Sequence, residues 1–294
     1  MKKLVSLAVS AVSAFTLVSS FSTKAIDKSY CPKLYFKASK VDGIHPQTNK
    51  RVYVDLNELK GDVTFDVSTY VDDSYKMLSQ IFCKWDTTDE FIKLSDLRDP
   101  ETSGVTRAYK NQPGLTTHAN DNFMSVTYNT TRGDAFAVNG TKSDTYPIAM
   151  FTAKLASNVT IGNHVIKFYT KDEPLEANNE VDYTMLSMND GTDKIIAPVP
   201  TQNDAESLTI AVSDRKLGDL DDSPAYTADD ASSALRAFTK LSSKQDSGFD
   251  ASQMAAADVD GDGRISASDA SYILKYYTYL SSNGTQSIYD YYGY

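Results

Sequence analysis

Between Asp258 and Asp269 the chain reads DVDGDGRISASD, which places oxygen-bearing side chains at positions 1, 3, 5, 9 and 12 of a twelve-residue loop, with Gly263 at position 6. Calcium takes six to eight hard oxygen ligands at about 2.3–2.6 Å, and a loop of this spacing can wrap them around one ion. Asp258, Asp260, Asp262 and Asp269 are the expected carboxylate ligands, the carbonyl of Arg264 supplies position 7, and Ser266 acts directly or through water. Gly263 permits a backbone turn that other residues resist.

The same unit occurs 39 residues earlier: Asp219 to Ser242 aligns without gaps on Asp258 to Ser281. This copy keeps Asp219, Asp221 and Asp230 at positions 1, 3 and 12, with Ser223 at position 5, the Ala225 carbonyl at position 7 and Thr227 at position 9. Pro224 stands where glycine is expected, and proline holds φ near −65°. Two readings of this loop stay open: a weaker calcium site, or a helix cap.

Other chemistries leave little trace. The chain has no G-x-S-x-G, P-loop or H-E-x-x-H motif and no Cys-His dyad signature, and His45, His118 and His164 read as ordinary residues. Glycoside hydrolysis needs two carboxylates across a cleft, which sequence neither finds nor excludes. Nineteen tyrosines keep a sugar-stacking sandwich conceivable, although there is one Trp.

The elements that position the loops follow from periodicity. After each loop, apolar residues recur at helical spacing: Ala231, Ala234, Leu235, Phe238 and Leu241, then Ala270, Ile273, Leu274, Tyr277 and Leu280. Asp230 and Asp269 therefore also stand at helix starts, where negative charge is favourable. No comparable helix is expected ahead of either loop.

From 28 to 214 the pattern changes to short apolar or alternating runs between polar turns, the mark of strands. Candidates are Arg51–Leu56, Val63–Ser68, Met77–Trp85, Phe91–Leu97, Phe123–Asn129, Ala135–Val138, Pro147–Leu155, His164–Tyr169, Asp182–Met188 and Leu208–Val212, with polar loops over 98–122 and 192–205. Nine or ten strands without a long helix imply an all-β sandwich.

Length supports two domains. Lys2 and Lys3 precede an apolar run from Leu4 to Val18 and small residues near Ala25, so residues 1–25 read as a signal peptide. No later run approaches the roughly 18 apolar residues of a membrane span. The formal charge of −10 becomes three units more acidic without Lys2, Lys3 and Lys24, which argues against nucleic acid and anionic membranes as partners. Cys31 and Cys83 are the only cysteines; export permits a disulfide, and reduced thiols are equally compatible.

Two loop-helix units with Asp at position 12, joined by a segment around Phe249 to Ala256, resemble a dockerin, a small all-α calcium-binding module. The resemblance covers 217–281 and implies two calcium ions and a cohesin partner. It further implies that Ala228, Asp229, Leu235, Arg236 and Lys240 of the first copy, and Ala267, Ser268, Leu274, Lys275 and Tyr279 of the second, face that partner. Core packing is an equal alternative for the two leucines.

The segment from Tyr146 to Phe168, YPIAMFTAKLASNVTIGNHVIKF, and Gly61 to Ser68, GDVTFDVS, make 26–214 resemble a cohesin, a jelly-roll sandwich of about nine strands that binds dockerins. Together these resemblances imply a secreted, non-catalytic adaptor scaffoldin of a cell-surface-associated cellulosome. Its cohesin-like part would receive dockerin-bearing enzymes or other proteins, and its dockerin would dock on a cohesin of a primary scaffoldin. The alternative is a dockerin-bearing carbohydrate-binding protein or small polysaccharide-degrading enzyme. The tail 282–294 has no assigned role.

Overall fold

The computed structural model describes residues 30–72, 78–87, 89–98, 116–119, 123–129, 145–172, 175–177, 180–189, 195–221, 223 and 225–294. The expected signal peptide, the expected strand at 135–138, most of the expected loop at 98–122 and Pro224 lie outside these residues.

In chain order the strands are β1 Lys33–Ala38, β2 Ile44–Thr48, β3 Arg51–Asp55, β4 Val63–Asp72, β5 Leu78–Asp86, β6 Ile92–Arg98, β7 Thr116–Ala119 and β8 Phe123–Asn129. There follow β9 Thr145–Leu155, β10 Gly162–Phe168, β11 Leu175–Ala177, β12 Glu180–Asp182, β13 Met185–Asn189, β14 Ile195–Ile196 and β15 Leu208–Ser213. One sheet has the order β1-β4-β9-β6, all antiparallel. The other runs β14-β13-β5-β10-β15-β3-β2, with β8 and then β7 beyond the opposite edge of β5. Only β15 and β3 pair in parallel among these strands. A separate ribbon joins β11 and β12.

The two sheets close on one core. Alternation along β4 buries Phe65, Val67, Thr69 and Val71 on one face, as a half-buried strand requires. Aromatic rings span the gap: Phe36 of β1 stacks on Phe168 of β10 with centroids 4.2 Å apart and meets Phe151 of β9 edge-on at 6.0 Å. Trp85 lies fully buried beside them, so it is a core residue and not a surface anchor. Cys31 and Cys83 are both free thiols, and burial pushes the Cys83 thiol up to about 12.

The sandwich therefore matches the expected fold class, with more strands than the nine or ten expected. Strand β1 lacks alternation because Leu34, Tyr35 and Phe36 are all buried. Strand β2 contains Pro46, which argues against a central strand; it sits at the sheet edge, where a missing N–H is tolerated. The region read as a loop over 98–122 includes β7, too short for a periodic signal.

The C-terminal part is helical: α1 Ala228–Ser242, α2 Ala251–Ala257, α3 Ala267–Ser281 and α4 Ile288–Tyr292. A short helix, α2, does precede the second loop, with Asp258 as its C-cap, but at seven residues it is not comparable to the fifteen-residue α1 and α3. Its capping box of Asp250 and Gln253 starts a helix of only seven residues, short for a periodic signal. Ala231, Ala234 and Ala237 of α1 and Ala270 and Ile273 of α3 are buried in a second core.

This helical unit sits on the sandwich. All five residues of β3 are buried: Val52 and Val54 face the sandwich core, while Tyr53 belongs to the helical core together with Ala211 of β15. A strand covered on both faces loses its polar alternation. The Tyr53 hydroxyl donates to the Arg215 carbonyl at 2.7 Å, and Ser213 and Ser252 hydroxyls meet at 2.6 Å.

The tail, without a role in the sequence reading, forms a clasp. Tyr289 of α4 stacks on His45 of β2 at 3.5 Å, and its hydroxyl donates to Asp55 Oδ2 at 2.9 Å. Lys40 pairs with Asp290 at 3.1 Å. His45 Nε2 bonds Glu58 at 2.8 Å, whereas its buried Nδ1 has no hydrogen-bond partner. Burial holds the His45 pKa below 6.5. The neutral ring is thus the folded form, so its contribution is complete above about pH 6.5 and is lost as pH falls through the depressed folded value. Thermal denaturation of wild type and His45→Phe between pH 7.5 and 5.5 is expected to show a smaller loss on acidification for the variant; equal losses would exclude His45 as the source.

Candidate metal centre

Both acidic loops fold around their helix starts. Thr227 is the N-cap of α1 and Ser266 the N-cap of α3, each forming a capping box with the position-12 aspartate. Asp230 accepts from the amides of Leu220 at 2.9 Å and Thr227 at 2.8 Å. Asp269 does the same with Val259 at 2.8 Å and Ser266 at 2.8 Å, and its Oδ1 also takes the Asp260 amide at 3.2 Å. One aspartate thus ties position 2 to position 9 and closes each loop.

The carboxylates converge. Oxygen atoms of Asp219, Asp221 and Asp230 lie within 4.8 Å of one another, as do those of Asp258, Asp260 and Asp262. In the second loop, Asp269 is outside the converging trio and is occupied by backbone amides. Ser223 of the first loop donates to the Ala225 carbonyl at 2.6 Å, and its amide bonds Asp221 at 2.9 Å. The side chain of Arg264 is exposed, leaving its carbonyl as the only group the loop pattern uses.

Asp258 is the most constrained of the set. It is 3% exposed; its Oδ2 accepts the Gly263 amide at 3.0 Å, while Oδ1 is buried with no hydrogen-bond partner. Burial pushes its carboxyl up to about 6, although Arg51 opposes the shift. Burial also raises Asp269. An orphaned carboxylate oxygen beside two more acids is a donor set suited to a hard cation, since buried polar atoms otherwise find partners. Asp258, Asp260 and Asp262 would hold calcium, and the loop pattern would add the Arg264 carbonyl and Ser266.

Sequence reasoning missed the groups behind this loop. Arg51 Nε of β3 pairs with Asp258 Oδ2 at 3.1 Å, and Arg51 Nη2 donates to the Ala255 carbonyl at 3.0 Å. Gln47 of β2 donates to the carbonyls of Asp258 and Val259, both at 3.0 Å, and Thr48 donates to the Gly261 carbonyl at 3.1 Å. Gly261 is at φ +70°, and a Cβ there would lie 2.6 Å from Gln47 Cβ, so only glycine lets the hairpin approach. More than 200 residues separate these partners in the chain, and no local pattern marks them.

The ten residues taken as partner contacts lie on α1, on α3 and at their starts. Ala228, Asp229, Leu235, Arg236 and Lys240 are all exposed, as are Ala267, Ser268, Leu274 and Lys275. Leu235 and Leu274 are each 47% exposed, which removes core packing as their role. Tyr279 is half-buried: it stacks on Tyr291 at 4.5 Å, and its hydroxyl accepts the amides of Thr285 and Gln286 at 3.1 Å.

No protein-family model matches the chain, and no curated protein matches it. Among solved structures, it is similar to the seventh ScaB type I cohesin from Pseudobacteroides cellulosolvens, at 11% identity over 58% of this chain and 90% of that one, with a TM-score of 0.35. It is also similar to a type I cohesin–dockerin complex from Clostridium thermocellum, at 11% identity over 61% and 99% of the two chains and a TM-score of 0.35. A third is the type III cohesin of the ScaE cell-surface anchoring scaffoldin of Ruminococcus flavefaciens, at 13% identity over 64% and 96% and a TM-score of 0.36.

Proposed function

We propose that this chain is a non-catalytic adaptor of a cellulosome, exported and held at the cell surface through a partner. The helical unit is a dockerin that takes calcium in its two loops and docks on a cohesin of a larger scaffoldin. The sandwich is the receiving module, which binds dockerins of enzymes or other components. The observation that carries the reading is the duplication itself. Two acidic loops, each closed by a position-12 aspartate, each start a fifteen-residue helix that exposes a leucine followed by a cation, Leu235–Arg236 and Leu274–Lys275.

An apolar side chain beside a basic one, raised on a rigid helix, suits a protein partner better than a small substrate. The test uses the full chain in calcium, titrated separately against isolated cohesins and isolated dockerins, with parallel assays on plant polysaccharides. Binding of both module types and no release of reducing ends is expected. Turnover surviving purification, or retention on insoluble polysaccharide without binding to either module type, would replace the adaptor reading with an enzyme or a sugar binder.

A further inference from the structure

A calcium loop in an isolated module must hold several carboxylates together with only its own turns to oppose their repulsion. Here the second loop has outside help. The β2–β3 hairpin contacts it at positions 1, 2 and 4 through Gln47 and Thr48, and Arg51 reaches the position-1 carboxylate.

The chemistry of those contacts is selective. Arg51 bonds Oδ2, the Asp258 oxygen already taken by the Gly263 amide, and leaves Oδ1 buried and unpartnered. Arg51 is itself 5% exposed and is held in turn by Gln47 Oε1 at 3.2 Å and the Ala255 carbonyl at 3.0 Å, so its position is determined by the sandwich and α2. The first loop is braced from within the helical unit, where Gln253 of α2 donates to the Leu220 carbonyl at 2.7 Å.

We propose that the sandwich hairpin is part of the second calcium site: Arg51 is the positioning residue that presents Asp258 Oδ1, and Gln47 and Thr48 clamp the loop backbone. This rests on the calcium reading above. Preorganised ligands bind more tightly because less freedom is lost on binding. A guanidinium near the site also repels a dication, but it engages only the oxygen turned to the amide, and Asp260, Asp262 and Asp258 Oδ1 remain for the ion. Linkage is reciprocal, so calcium in this loop also tightens the seat of the helical unit on the sandwich.

The test is calorimetric calcium titration of the full chain in an Asp219→Ala, Asp221→Ala background, which silences the first loop. Gln47→Ala and Thr48→Val are expected to weaken binding ~3-fold to 10-fold each, and Arg51→Ala ~10-fold or more, with partial recovery in Arg51→Lys. Gln47 and Thr48 are half-buried, so their variants keep the experiment interpretable if Arg51→Ala fails to fold. Hydrogen exchange of amides 258–269 in chelator provides a metal-free readout, expected to quicken in Gln47→Ala. Unchanged or tighter calcium binding in folded variants, or unchanged exchange, overturns the hairpin's role while the calcium reading stands. Absence of binding in the background chain overturns the calcium reading itself.

Discussion

Asp258→Ala with Asp260→Ala is expected to abolish binding of the helical unit to any cohesin, whereas Asp219→Ala with Asp221→Ala is expected to leave a measurable remnant. Loop composition sets the asymmetry. The second loop carries Asp262 at position 5 and has glycine at φ +88° at position 6, where the first has Ser223 and Pro224. The second loop also abuts the sandwich through Gln47 and Arg51, so its collapse reaches further. A ligand that binds only the folded form stabilises it by RT ln(1 + [L]/Kd), about 2.7 kcal/mol at a hundredfold excess, and a small core has little to spare. Chelation of wild type is expected to reproduce the Asp258→Ala, Asp260→Ala variant in both helicity and partner affinity. Circular dichroism and calorimetry with and without chelator measure both; equal helicity and equal affinity in the two conditions would sink the calcium mechanism.

Removal of the tail clasp is expected to have the other large effect. Tyr289 is 3% exposed, sits between Tyr53 and His45, and supplies the hydroxyl donor to Asp55, itself 1% exposed. Tyr289→Ala removes a buried aromatic ring, a change that costs about 3–5 kcal/mol, and it takes the donor from Asp55 as well. Tyr289→Phe keeps the ring and deletes only the hydroxyl, which donates to Asp55 and accepts the Leu217 amide at 3.4 Å, for a loss of about 1–3 kcal/mol. The Asp55 carboxyl is raised by burial and lowered by its bond to Tyr289, so the Phe variant is also expected to raise it further. Denaturant unfolding of the full chain measures the ranking, and limited proteolysis around 214–217 reports whether the helical unit lifts from the sandwich. If Tyr289→Ala matches wild type in both assays, the tail is a passive appendage.

Local signals made much of this molecule legible. The 39-residue repeat, the oxygen spacing within it and the helical periodicity after it place α1 and α3, and the structure brings together the three expected acids of the first loop and three of the four expected in the second, Asp269 standing apart. Runs such as 63–68 and 208–212 locate strands because alternation or continuous apolar character reports burial directly. Strands β1, β2 and β7 escaped for identifiable reasons: consecutive buried residues, an edge proline, and a length of four residues. Leu235 and Leu274 share helical spacing with true core residues, and spacing alone does not tell which side of a helix a neighbour covers.

The sequence by itself determined the strand-rich and helical character of the two parts and the acidic make-up of the two loops, since those depend on residues within a dozen positions of one another. Tertiary structure alone decided how the units meet. Arg51, Gln47 and Thr48 reach the second loop, and Tyr289 reaches His45 and Asp55, across separations of more than 200 residues. Such contacts arise where two folded surfaces happen to match in shape and polarity. A buried arginine on a strand or a tyrosine in a tail carries no local mark of the partner it will find.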